Sequence, residues 1–146
     1  MSASRADVAV ELREAVQAFT AAQRRLRGRD VKAGGVSFAQ FHLMRRLAEV
    51  DESPASKLAA GADLSPASAT QALDHLAELG LVERVRSDTD RRVVLNRLTP
   101  AGREVFAAKR ALLEERWQEA LADLSADQLG QAAQVLRRMA EVLDGI

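Results

Sequence analysis

The chain has 146 residues, 47% hydrophobic and 29% charged, a size and mix that suit one globular domain with a core of its own. It contains no Cys, which excludes disulfides, thiol redox sensing, Cys-based zinc sites and a cysteine nucleophile. With 21 basic and 21 acidic residues the net charge is zero, so total charge gives no support to an anionic partner.

Two His, His42 and His75, are too few for an all-imidazole zinc site, and neither a metal nor a cofactor is expected. Aromatics make up 3% of the chain, with no Tyr; a base-stacking platform for single strands needs more, so duplex nucleic acid or protein is the expected partner. No run of signal-peptide character and no stretch near 20 apolar residues occurs, so a cytoplasmic location without membrane association is expected. The charge is nevertheless polarised. Between Arg84 and Arg97 five basic residues face two acids, a local +3, whereas from Ala101 onward six basic residues face eight acids, a local −2.

In chain order, Ser4 and Asp7 open a helical pattern in which Val8, Leu12, Ala15, Phe19, Ala22 and Leu26 recur at four- and three-residue spacing. That stripe suits either an ordinary core helix or one packed on a partner subunit. Gly34-Gly35 end it. Ser37 and Gln40 form a capping-box pair for a helix to about Val50, with Phe38, Phe41, Leu43, Met44 and Leu47 as its apolar positions. Ser53-Pro54 predicts the start of a short helix burying Leu58 and Ala59, and Ser65-Pro66 repeats the signal for a helix to Leu79, closed by Gly80. A short helix followed closely by a longer one is the pattern of a helix-turn-helix.

After Gly80 the period changes from helical to alternating. Val82 to Arg86 and Val93 to Leu98 predict a β-hairpin around the polar turn Ser87-Asp88-Thr89-Asp90, which reads as a wing. Thr99-Pro100 then caps a helix carrying Val105, Phe106, Leu112, Leu113, Trp117 and Leu121. Ser125 and Gln128 open a last one carrying Leu129, Ala132, Leu136, Met139 and Leu143. The expected fold is mainly α with a small β-hairpin wing (α+β): a winged helix-turn-helix plus a helical region from both termini.

On the Pro66–Gly80 helix, Ala69, Leu73, Leu76 and Gly80 form the apolar side, and Ala67, Gln71, Asp74 and Glu78 the opposite one. As a recognition helix its N-terminal half suits base edges: Gln71 can pair with adenine, Ser68 and Thr70 can donate or accept, and the Ala67 methyl can pack on thymine. Asp74 and Glu78 would repel phosphates, so the helix is expected to enter the major groove by its N-terminus. The alternative is a solvated polar face, since this helix has no Lys or Arg. The hairpin supplies the charge, through Arg84, Arg86, Arg91, Arg92 and Arg97, and Arg suits phosphates and the narrow minor groove. Its alternative is a sheet edge charged against aggregation.

Leu64-Ser65-Pro66-Ala67-Ser68-Ala69-Thr70, the run Leu73 to Val82, Asp90-Arg91-Arg92 and Leu98-Thr99-Pro100-Ala101-Gly102 resemble the MarR family of winged-helix regulators, as does Ser37 to Leu47 upstream. The resemblance implies a transcriptional regulator, a repressor, bound as a homodimer to a pseudo-palindromic duplex site. It divides the chain into a dimerisation helix (1–36), a winged DNA-binding domain (37–100) and C-terminal dimerisation helices (101–146) joined with 1–36. Val8, Leu12, Phe19, Leu129, Leu136 and Leu143 are the dimer-interface candidates. The DNA-contacting candidates are Ser37, Lys57, Ser65, Pro66, Ala67, Ser68, Thr70, Gln71, Arg84, Arg86, Asp90, Arg91 and Arg92, with Asp90 orienting the Arg that reaches the minor groove. Gln71 departs from the family pattern, where Arg is common, which touches base preference and not docking.

The resemblance also implies release by a small aromatic or phenolic ligand, with Phe19, Phe41, His42, Arg45 and Trp117 as lining candidates; core packing explains their spacing equally well. An enzyme is not expected, because no Gly-rich phosphate loop, metal cluster or nucleophile–base pattern occurs. The remaining alternative is a winged-helix protein-interaction module that never touches DNA.

Overall fold

The computed structural model describes residues 4–27 and 35–146. Its elements are α1 (Arg5–Arg27), α2 (Phe38–Val50), β1 (Glu52–Pro54), α3 (Ala55–Gly61), α4 (Pro66–Glu78), β2 (Val82–Arg86), β3 (Val94–Leu98), α5 (Pro100–Ala120) and α6 (Ala126–Asp144). Backbone contacts divide the chain into two units, Met1–Lys109 and Arg110–Ile146.

Most helix ends form where the capping chemistry predicts. The Ser37 and Ser125 hydroxyls accept the N–H groups of Gln40 and Gln128, whose side chains reach back to complete capping boxes. Ser65 accepts from the Ser68 N–H ahead of Pro66 at the first helical position. At the far end of α4, Gly80 takes φ 71, and the Leu81 N–H returns to the Leu76 carbonyl at 2.9 Å and the Gly80 N–H to Ala77 at 3.0 Å. This is a Schellman closure in which only a residue at ease with positive φ fits without strain. The turn between α3 and α4 closes the same way, with Asp63 at φ 54 and the Leu64 N–H bonded to the Ala59 carbonyl at 2.9 Å. Of the Gly34-Gly35 break, Gly34 lies outside the described residues and Gly35 has φ 69.

One expectation is corrected. Ser53 does not cap α3: it lies buried in β1, Pro54 takes the N-cap position without a side-chain cap, and α3 begins at Ala55. The reason is pairing. Ser53 sits opposite Asn96 of β3, so the wing's sheet has three strands in the order β1-β3-β2, and sheet bonding outcompetes the local capping signal.

The core of the first unit is apolar and closed: Val36, Leu43, Met44, Leu47, Leu58, Leu73 and Leu76 are fully buried. Phe41 stacks on Phe106 with ring centroids 5.2 Å apart. Lys109 is 3% exposed, lies 5.7 Å from the Phe41 ring centre and donates to the Val36 carbonyl at 2.5 Å; burial lowers its pKa from the ordinary lysine value. By contrast α1 and α6 bury no residue, and Val8, Leu12 and Phe19 on α1 and Leu129, Leu136 and Leu143 on α6 are 37–71% exposed. No described helix is long and apolar enough to cross a membrane.

Candidate nucleic-acid interface

α4 is held by its apolar side, Ala69, Leu73 and Leu76, against the core, which leaves Pro66, Ala67, Ser68, Thr70 and Gln71 exposed along its first two turns. The hydroxyls there are already engaged. Ser65 Oγ donates to Ser68 Oγ at 2.8 Å, and Thr70 Oγ1 donates back to the Pro66 carbonyl at 2.9 Å. Each keeps lone pairs for a further donor, whereas the Gln71 amide makes no hydrogen bond among the described residues. The first turn also presents the positive end of the helix dipole.

The wing sorts its five Arg by what holds them. On β2 side chains alternate, so Arg84 and Arg86 point to the same face as buried Val82, and Glu83 to the other. Arg84 is clamped by Asp74 of α4 and also donates to Asn96 Oδ1 at 3.4 Å. Arg97 pairs across the strands with Glu83, its register partner, at 2.6 Å. Arg86 reaches back to the Arg91 carbonyl at 3.0 Å and so braces the tip.

The tip is knotted by its own polar groups. Ser87 Oγ accepts the N–H groups of Thr89 and Asp90, and the Asp90 carboxylate accepts the Arg92 N–H at 3.0 Å. Asp90 therefore shapes the turn through the backbone of Arg92. The guanidinium groups of Arg91 and Arg92 are exposed and make no hydrogen bond or ion pair among the described residues. They are the charge left for an outside anion.

The base of the wing explains the run Leu98-Thr99-Pro100-Ala101-Gly102. Thr99 Oγ1 donates to the Gly80 carbonyl at 2.6 Å and accepts the Gly102 N–H at 3.0 Å, while the Thr99 N–H bonds Leu81 at 3.1 Å. A Cβ on Gly102 would stand 2.0 Å from the Leu81 carbonyl oxygen, so only glycine lets α5 start against the α4–β2 connection. The last turn of α4 and both strand ends are thus tied to one point.

Of the other sequence-predicted residues, Ser37 is half-buried as the α2 cap, and Lys57 lines a surface cavity of about 210 Å³ with Arg46, Val50, Glu52, Ser53, Pro54 and Leu58. Phe41 is core. His42 stands edge-on to Phe38 at 4.6 Å, and desolvation, then the nearby charges of Arg27 and Arg45, lower its pKa from the ordinary imidazole value. Arg45 pairs with Glu49 at 3.4 Å, and Phe19 and Trp117 are about half exposed on α1 and α5. Sequence reasoning missed the Asp74–Arg84 clamp, buried Asn96, buried Lys109 and a contact between Gln40 and His75. The available signals were a polar residue central to β3 and a lysine three positions after Phe106, on its apolar face.

The MarR family model matches residues 36–94, from the residue before the α2 cap to the start of β3. The HTH-type transcriptional regulator YdgJ of Bacillus subtilis is 32% identical over 112 residues, covering 77% of this chain and 68% of that one. The chain belongs to the MarR family. It is accordingly a winged-helix transcriptional regulator of that family and not an enzyme. Solved structures share the fold: FabT of Streptococcus pneumoniae in complex with DNA superposes with a TM-score of 0.75 at 20% identity, over 92% of this chain and 98% of that one. PcaV of Streptomyces coelicolor, in complex with its natural ligand, gives 0.70 at 22% identity over 97% and 98%.

Proposed function

We propose that this MarR-family regulator is a cytoplasmic repressor that binds a pseudo-palindromic duplex site as a homodimer, and that a small aromatic or phenolic ligand releases it. The observation that carries DNA binding by this surface is the pair of unpaired guanidinium groups, Arg91 and Arg92, at the tip of a wing clamped to α4. The first turns of α4 enter the major groove, where Gln71, Ser68, Thr70 and Ala67 meet base edges and Ser65 and Pro66 set the helix start. Ser37 and Lys57 add backbone contacts, and Arg91 and Arg92 take phosphates or the minor groove.

The exposed stripes of α1 and α6 support the homodimer, since each leaves apolar side chains in water that a second copy would cover. Phe41, His42, Arg45 and Phe19 are the residues of the first unit offered to the effector, and the ligand complex of PcaV makes that class of regulation worth testing. An electrophoretic shift on the promoter of the protein's own gene tests the DNA reading: a salt-sensitive shift is expected, and no binding to any duplex at low ionic strength would overturn it. Sedimentation should give a dimer at micromolar concentration, and a folded monomer refutes the interface. A thermal-shift screen of small aromatic acids tests the effector, with the DNA complex losing its shift in the presence of a hit.

A further inference from the structure

Gln40 joins the start of α2 to α4. Its Oε1 accepts the Ser37 N–H at 2.9 Å as part of the capping box, and its Nε2 lies 2.6 Å from Nδ1 of His75. A backbone nitrogen can only donate, so the carbonyl end of the amide must face Ser37 and the NH2 end must face the ring. His75 Nδ1 is then obliged to accept, which places the ring proton of the neutral imidazole on Nε2. Turning the amide over would set two donors against each other at Ser37. The capping box and the imidazole are therefore one hydrogen-bonded chain, anchored by a buried Gln40.

We infer that Gln40 is a positioning residue for DNA binding, holding the N-terminus of α2 and the recognition helix in register through Nδ1 of His75. The inference rests on α4 being the helix that enters the groove. The ionisable groups on the elements packed against α4 are His42, Arg45, Arg46 and Glu49 on α2, Lys57 on α3, and Glu83, Arg84 and Arg86 on β2, with Asp74 and Glu78 on α4 itself. Arg45 and Arg46 are held by Glu49, and Arg84 by Asp74. Among the described residues Gln40 is the one group hydrogen-bonded to the imidazole.

The test uses the whole protein and Gln40→Glu, which keeps a capping-box residue at that position. In long-range 1H–15N spectra the wild-type neutral His75 should carry its proton on Nε2. In Gln40→Glu the carboxylate accepts from both Ser37 and the ring, so the neutral ring should move its proton to Nδ1. On a mixed-sequence duplex, Gln40→Ala and His75→Ala should each lower affinity by about fivefold, the effect of losing one ordinary hydrogen bond, and the double variant should lose no more than Gln40→Ala alone. The same tautomer in both proteins, or losses that add in the double variant, overturns the inference. Failure of the wild type to bind any duplex would instead overturn the reading of α4, whatever the spectra show.

Discussion

Helix α4 and the wing carry their polar groups in opposite ways. α4 has no Lys or Arg, and its hydroxyls bond to each other or to its own backbone, leaving the Gln71 amide and the helix dipole for a partner. The wing has five Arg, yet Arg84 and Arg97 are paired with Asp74 and Glu83, and Arg86 is spent on the tip. Counting charges along the chain therefore overstates what the wing can offer, because ion pairs turn cations into struts. Affinity should come from Arg91 and Arg92, discrimination from Gln71, and the angle between the two from Asp74–Arg84 and the Thr99–Gly102 knot.

The largest effect is expected where charge is free. Arg91→Ala with Arg92→Ala should weaken duplex binding by about tenfold per phosphate contact at roughly 0.1 M salt and flatten the log–log salt dependence by about 0.9 per contact. A salt titration that leaves the slope unchanged would remove the wing from the interface. Gly102→Ala should come next, lowering stability by about 1–3 kcal/mol in denaturant titration, because the Leu81 carbonyl or the start of α5 must move. If its midpoint matches the wild type, the knot is not what sets the wing.

Gln71→Ala should leave the salt slope alone and shift base preference by about 1–3 kcal/mol at one position per half-site. Selection from random duplexes returning the same consensus would show that Gln71 reads nothing. The smallest effect is expected for Asp74→Asn. An exposed pair contributes at most about 1 kcal/mol to stability, so the fold should barely change, while the released Arg84 should steepen the salt slope by up to about 0.9. A slope equal to the wild type would mean that Arg84 stays clear of DNA even when free.

Much of the fold was legible along the chain, since capping boxes, Ser-Pro starts and Gly80 act within a few residues of each other. The exception is instructive. Ser53-Pro54 carries the same local signal as Ser65-Pro66, yet becomes a strand because Asn96, far along the chain, offers it a register partner and accepts it into the core. The candidate site was readable only as residue types in order, namely the polar first turns of α4, the Arg-rich hairpin and Asp90-Arg91-Arg92. Which guanidinium was free was not, because Asp74 and Glu83 reach their partners across elements.

The composition and its periodicities were enough to specify a helix-turn-helix followed by a basic hairpin, and to mark α1 and α6 as amphipathic helices. Those features depend on neighbours in sequence, where spacing and geometry coincide. Sorting the wing's arginines into struts, brace and free charge, and assigning the Gln40 amide and the His75 proton, required the packed arrangement of α2, α4 and β2. Pairing depends on distance in space, which one-dimensional spacing does not encode.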